Sequence, residues 1–388
     1  MSHRLSRRTR IGLLWLAVLM FVGGVVGQTK SFIPVEGANL KARIDGAIAA
    51  GKASAVNGRF WVAYQFEVRP GVAVDFEIVD SAGGVYISSD GTSMMFDPKN
   101  ETRELGLFLM YDAARESFIR ADIYNLRRTH EYSNYPVYWA GRITNEESLS
   151  YLKSILDSPA PQMNRLAERA LFAIALHDDA RVDGLLTEVV RRPVAEPLRS
   201  RALYWLGNTP ETAAKNTLFT EIVRNTQESN EARHAAMSAL AMSRSAAVLQ
   251  VLENLFETMP TNDLKRRALT GIGRNDNTDA AATYLIRVSE SEKDMDLRKS
   301  AIASLGRIAG QKSLGALTGT VDGDADIELQ KSAVVAIGRR PKDEAIPILI
   351  RTARNHPKMP IRKVAIQMLG QTGDERAVAF FRELLSKD

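Results

Sequence analysis

LRKSAIASLGR (297–307) returns almost unchanged as LQKSAVVAIGR (329–339). Carried through the second half of the chain, the string yields seven copies: LAERALFAIA (166–175), LRSRALYWLG (198–207), ARHAAMSALA (232–241), LKRRALTGIG (264–273), LRKSAIASLG (297–306), LQKSAVVAIG (329–338) and IRKVAIQMLG (361–370). A shared alanine falls at Ala170, Ala202, Ala236, Ala268, Ala301, Ala333 and Ala365, at intervals of 32 to 34 residues. A fixed period of this length is the signature of stacked structural units.

Each copy reads as a helix. In the fifth, Leu297, Ala301, Ile302 and Leu305 share one face, and Gly306 stands where the helix is expected to stop. Asp296 and Asp263 stand just ahead of their copies as expected N-caps. Between copies lies a second amphipathic stretch, such as DEAIPILIRTARN (343–355) or ERAVAFFRELLSKD (375–388). One unit is therefore predicted to be a pair of short antiparallel helices. A lone pair cannot bury its apolar face, so neighbours must stack into a solenoid, and the shared alanine lets successive second helices approach. The first unit is predicted to open at Thr144 with Glu147 as a capping box, ahead of a helix over 147–158. The helix at 375–388 is expected to cap the end.

A basic residue near the start of the second helix, a small residue in its middle and Leu-Gly or Ile-Gly at its end resemble HEAT repeats, in particular the short phycobilin-lyase type. Arg298-Lys299-Ser300-Ala301-Ile302 through Leu305-Gly306 and its copies carry the resemblance, over about 145–388. It implies an α-α solenoid whose second helices line a concave surface. It also implies that the basic residues Arg199, Arg233, Lys265, Arg298 and Arg362 pair between neighbouring units as structural contacts.

Residues 59–140 show period-2 patterning instead. Phe60, Val62, Tyr64, Phe66 and Val68 alternate with Arg59, Gln65 and Glu67; after Arg69-Pro70-Gly71 the alternation resumes at Val72, Val74, Phe76 and Ile78. Further strands are predicted at 85–88, 104–111, 117–125 and 136–141, with breaks at Gly83-Gly84, Asp90-Gly91 and 97–100. Leu40, Ile44 and Ile48 share a face of a helix around 38–50. The predicted fold class is therefore α+β and multidomain. A signal peptide (1–27) and a linker with a short helix (28–58) precede a small antiparallel β-domain (59–143). An all-α HEAT-like solenoid of about seven helical pairs plus a capping helix follows (144–388).

The formal net charge is +5, but Arg4, Arg7, Arg8 and Arg10 account for most of it and leave a near-neutral body. Nothing in that balance calls for nucleic acid as a partner. The same arginines form a basic leader ahead of IGLLWLAVLMFVGGVVG (11–27), and together they read as an export signal with a cut before Gln28. The expected location is extracytoplasmic, periplasmic or secreted, with membrane attachment only if 11–27 is retained as an anchor. Cysteine is absent, which excludes disulfides, thiolate metal sites and cysteine nucleophiles.

No catalytic motif stands out. The five histidines, His3, His130, His177, His234 and His356, carry no metal-ligand spacing. DGDADIE (322–328) begins like a calcium loop, yet Ile327 and Ala333 stand where that loop needs glycine and glutamate, so acid at a helix start is the better reading. No cofactor is expected. Two residues before the shared alanine lie Ser200, His234, Arg266, Lys299, Lys331 and Lys363, turned away from the alanine seam. With Arg267, Tyr204 and Trp205 they are the candidate partner-binding residues, forming a basic groove for a protein or acidic peptide.

The leading expectation is a non-enzymatic scaffold. The alternatives are an enzyme or accessory protein with a site around Trp61, His130 and Trp139, or a binder of anionic envelope polymer.

Overall fold

The structure, a computed structural model, describes residues 32–54, 58–74, 77–79, 85–87, 94–95, 102–158, 164–192, 196–323 and 326–386. The apolar segment 11–27, Asp324 and the breaks expected at 83–84, 90–91 and 97–100 lie outside them.

In chain order the first part holds β1 (Ile33–Pro34), α1 (Leu40–Ser54), β2 (Arg59–Gln65), β3 (Ala73–Val74), β4 (Glu77–Val79), β5 (Val85–Ile87), β6 (Met94–Met95), β7 (Leu105–Asp112), β8 (Ser117–Asn125) and β9 (Val137–Arg142). Five strands form a sheet in the order β1-β9-β2-β7-β8, while β3 pairs with β6 and β4 with β5. The main sheet is mixed, not antiparallel as the sequence predicts. β2, β7 and β8 form an antiparallel meander, but β9 lies parallel to β2 on its far side, and β1 runs parallel to β9. The cause is a crossover after β8, which no local signal announces. β1 also draws part of the expected linker into the sheet.

That crossover passes through Tyr132, Ser133 and Asn134, all with positive φ (47°, 52° and 62°). Non-glycine residues adopt this backbone only where their surroundings enforce it. Here the Tyr132 ring stacks on Phe108 at 4.9 Å, and the Tyr132 carbonyl accepts the Trp61 indole N–H at 2.9 Å. The turn thus seals a second apolar cluster of Trp61, Ala63, Phe108, Met110 and Val137, so β2 is buried on both faces rather than one.

On the other face Phe60, Val62 and Tyr64 join Leu40, Ile44 and Ala47 of α1 in a core that runs on without a break through the helices. The sheet is stitched to them directly. The Arg69 N–H donates to the Leu176 carbonyl (3.0 Å), the Asp178 N–H to Glu67 (3.2 Å), and Val68 bridges His177. Asn145 clasps the same junction, accepting from the Glu67 N–H and donating to the Asp178 carbonyl.

The helices follow in pairs: α2 (Asn145–Leu156) with α3 (Asn164–Leu176), α4 (Arg181–Arg191) with α5 (Glu196–Gly207), α6 (Ala213–Arg224) with α7 (Asn230–Leu240), α8 (Ala246–Thr258) with α9 (Asn262–Ile272). The next are α10 (Thr278–Ser291) with α11 (Met295–Leu305), α12 (Gln311–Asp322) with α13 (Ile327–Gly338), and α14 (Lys342–Asn355) with α15 (Met359–Gly370); α16 (Glu375–Leu385) ends the array. The capping box forms: the Glu147 N–H donates to Thr144 Oγ1 (3.3 Å) and the Thr144 hydroxyl to Glu147 Oε2 (3.1 Å). Glu147 Oε1 also accepts the free Leu40 N–H at the start of α1.

Asp296 and Asp263 are not N-caps. α11 starts two residues earlier than the apolar pattern, because Asp294 accepts the Asp296 and Leu297 N–H groups; α9 begins behind Thr261. This leaves both acids in the first helical turn, free to pair forward.

All seven shared alanines are no more than 1 % exposed. α11 stops at Leu305 with Gly306 as its C-cap, as expected, but that glycine has a helical φ of −62° rather than the left-handed conformation. A Cβ there would lie 2.9 Å from the Ala336 carbonyl oxygen; at Gly207 it would lie 2.8 Å from Ala239, and at Gly273 2.8 Å from Ser304. Glycine is required because the next second helix presses on that spot. At Gly370 nothing lies within 4 Å. The same open end shows at Ile366, which is 38 % exposed where its counterparts Met237, Leu269, Ile302 and Val334 are at most 1 %.

Candidate protein-binding surface

The second helices α3, α5, α7, α9, α11, α13 and α15 lie side by side, so one helical position recurs on one continuous face. The position two before each alanine is half-buried or exposed throughout, as its turn away from the seam requires.

Most of its charges are already met. Lys331 Nζ lies 2.7 Å from Glu328, and Lys299 3.7 Å from Asp296. Asp263 gathers three partners: His234 Nε2 at 2.8 Å, Arg266 at 3.1 Å and Arg267 at 3.5 Å. The hydrogen bond from Arg266 leads in holding the Asp263 carboxyl below its ordinary range. Burial, and then the neighbouring Arg267 charge, lower the His234 pKa, so at neutral pH its imidazole meets Asp263 as an uncharged donor. Lys363 alone of the row's lysines lacks such an acid, since Pro360 stands three residues before it. The sequence predicts a basic groove; the described residues form a stripe in which acids of the first turn alternate with cations.

Tyr204 is 43 % exposed and belongs to this surface. Trp205 does not: it is 8 % exposed and stacks on Phe172 at 4.7 Å, with Tyr204 edge-on to it at 4.8 Å. A large ring next to a tightly packed seam is pulled into it.

The residues one step earlier bind mainly within their own unit. Arg199 Nε donates to the Val190 carbonyl, Arg233 to Val223, Arg298 to Ser289 and Arg362 to His356. Each reaches the last carbonyls of the preceding first helix, where the helix dipole favours a cation. Gln330 serves α12 in the same way through Val321. Arg199 adds the expected contact to the next unit, with both guanidinium nitrogens on Glu228.

Three arginines that the sequence reading passes over form a second row. Arg274, Arg307 and Arg339 each follow the closing glycine of a second helix, and each is exposed. Among the described residues none has an ion-pair partner; Arg307 makes one long contact, 3.4 Å, to Ser304 Oγ. The Arg307 pKa is lowered, first by burial and then by the charges of Arg274 and Arg339 on either side. Their signal in the sequence is the dipeptide Gly-Arg, at 273–274, 306–307 and 338–339.

Trp61 is fully buried, His130 Nε2 donates to the Asn125 carbonyl (3.1 Å), and Trp139 stacks on Phe32 at 5.1 Å. In the acidic segment Asp326 caps α13, Glu328 holds Lys331, and Asp322 pairs with Arg351 at 2.8 Å. Among the described residues no group of three or more His, Asp or Glu is placed to hold a metal ion. A cleft of about 330 Å³ between α5, α6 and α7 contains buried Lys215, already bound to Thr209 Oγ1 at 2.8 Å and Asp183 at 3.0 Å.

Residues 320–388 match the family model for HEAT repeats. The C-terminal end of the solenoid is therefore HEAT-repeat in kind. Among curated proteins none matches the sequence. The HEAT-like array is similar to human deoxyhypusine hydroxylase (16% identity, 61% of this chain and 89% of that one, TM-score 0.31). It is similar also to the CpcE–CpcF complex of phycocyanin lyase from Nostoc sp. (16%, 61% and 94%, 0.32) and to Kap95p in a complex with RanGDP (15%, 62% and 35%, 0.35). At these values the likenesses add nothing to the fold read from the helices themselves.

Proposed function

We propose that the chain is an exported scaffold that binds another protein on the concave face formed by its second helices. One observation carries this: seven second helices stack so closely that a single helical position becomes a continuous surface, which offers extended contact rather than an enclosed reaction site. Tyr204, His234, Arg266, Arg267, Lys299, Lys331 and Lys363 supply its contact groups, with Trp205 supporting Tyr204 from below. The alternation with Asp263, Asp296 and Glu328 favours a partner of mixed charge. The basic leader and the apolar run 11–27 support export, with or without retention as an anchor.

The test is a crosslinking pull-down from envelope extract with the full chain, beside a variant with Arg266, Lys299, Lys331 and Lys363 changed to Glu. The expected result is a partner crosslinked to the second helices and lost in the folded variant. Crosslinks confined to the sheet or the first helices would overturn the reading, and fractionation of the tagged full chain checks the export.

A further inference from the structure

We infer that Arg274, Arg307 and Arg339 form a docking ladder for an extended acidic polypeptide segment. This rests on the protein-binding reading above and gives it a partner class and a register.

The contrast between the two basic rows carries the inference. Arg266, Lys299 and Lys331 are each neutralised by an acid three residues before them in the same helix. Arg274, Arg307 and Arg339 have no such acid, and among the described residues no ion pair. They sit on three successive second helices at the same place, just past the glycine on which the next helix presses. Cations are favoured at helix C-termini, which accounts for each arginine singly. It does not account for three like charges in a row with no counter-charge between them, an arrangement that repels itself until an anion arrives.

The geometry selects the anion. Packed helices lie about 8–10 Å apart, so the guanidinium groups repeat at about that distance. An extended peptide in the polyproline II conformation has three residues per turn and advances about 3.1 Å per residue, so carboxylates at every third position share one face and keep step with the ladder. Each arginine can then hold its carboxylate through two N–H groups. Because the body of the protein is close to neutral, the attraction is local to this edge.

The probe is a labelled peptide with four glutamates at every third position in a Gly-Ser background, titrated into the full-length protein at low salt. The triple variant Arg274→Ala, Arg307→Ala, Arg339→Ala should bind it about tenfold or more weakly. A second triple variant, Arg287→Ala, Arg351→Ala, Arg354→Ala, removes the same charge from paired sites on the first helices and should bind as wild type. A peptide with its four glutamates contiguous should bind several-fold more weakly than the spaced one. Equal binding by both triple variants, or no binding by wild type, overturns the ladder. Tighter binding of a single-stranded oligonucleotide of equal charge overturns the assignment to a polypeptide. If the pull-down partner is lost with the Arg266–Lys363 variant but retained by the Arg274–Arg339 variant, the ladder falls while the scaffold reading stands.

Discussion

Nε2 of buried His177 lies 2.8 Å from Oγ of Ser148, and its Nδ1 lies 2.7 Å from the Ala173 carbonyl oxygen. The carbonyl can only accept, so Nδ1 carries the proton and Nε2 accepts the Ser148 hydroxyl; the Tyr64 hydroxyl, 3.1 Å from Ser148, completes the chain. With Phe66 stacked on the imidazole at 4.2 Å, this knot ties β2, α2 and α3 together where sheet meets solenoid.

The knot makes stability depend on pH. Burial lowers the His177 pKa to about 4 from an ordinary 6.5. Between those values the unfolded chain binds a proton that the folded chain does not, so stability rises with pH across the window and is lost on acidification through it. The loss from pH 7 to pH 4 is about 3 kcal/mol for this one group. Asp179 and Asp374, held near 2 by Arg181 and Arg376, titrate below the window. Urea unfolding of wild type and His177→Gln at pH 7 and pH 4.5 should show a steeper pH dependence in the wild type, the variant keeping the contributions of His234 and of glutamates such as Glu188 and Glu228; an equal pH dependence in both would exclude His177 as a source.

The closing glycines predict opposite outcomes at two positions of one motif. Gly306→Ala should cost about 1–3 kcal/mol, because its Cβ meets the Ala336 backbone and a helical φ leaves overpacking as the only penalty. Gly370→Ala has open space and should be neutral or stabilise by up to about 1 kcal/mol through helix propensity. Thermal melts of the two variants check this directly.

The repeats were legible because each second helix buries the same positions, so Leu297, Ala301 and Ile302 repeat as a string. The sheet was not: whether β9 runs with or against β2 depends on a crossover, and Tyr132–Asn134 carries no glycine to mark its left-handed turn. For the surface, exposure follows from helical phase, but the acids at 263 and 296 read as caps because the apolar pattern starts two residues after the helix. Trp205 was misplaced for the same kind of reason, since sequence gives its angle on the helix but not what stands beside it.

Ile302 and Ile366 occupy one position in different units, so they separate intrinsic from neighbour-dependent burial. Ile302→Ala should cost about 2–5 kcal/mol, the range for truncating a fully buried isoleucine. Ile366→Ala should cost less than half as much, since it is already 38 % exposed beside the open end. Denaturant midpoints with unchanged slopes would report the difference; equal costs would mean that the end is covered in solution.

Arg298 is expected to contribute through the helix it caps rather than through a partner. Its Nε bonds the Ser289 carbonyl at 2.7 Å in the last turn of α10, where Gln330 does the same for α12 with a neutral amide at 2.9 Å. The chain thus contains its own control. Arg298→Ala leaves that carbonyl without its donor and should cost about 1–2 kcal/mol. Arg298→Gln keeps a donor and loses only the charge, so it should recover more than half of that cost, the dipole contribution alone being about 0.3–1 kcal/mol. Hydrogen exchange localises the effect: in Arg298→Ala the amides of α10 and α11 should exchange faster while those of α4 and α5 stay as in wild type. Uniform acceleration along the array would mean that the units unfold together and that the cap is not a local contribution.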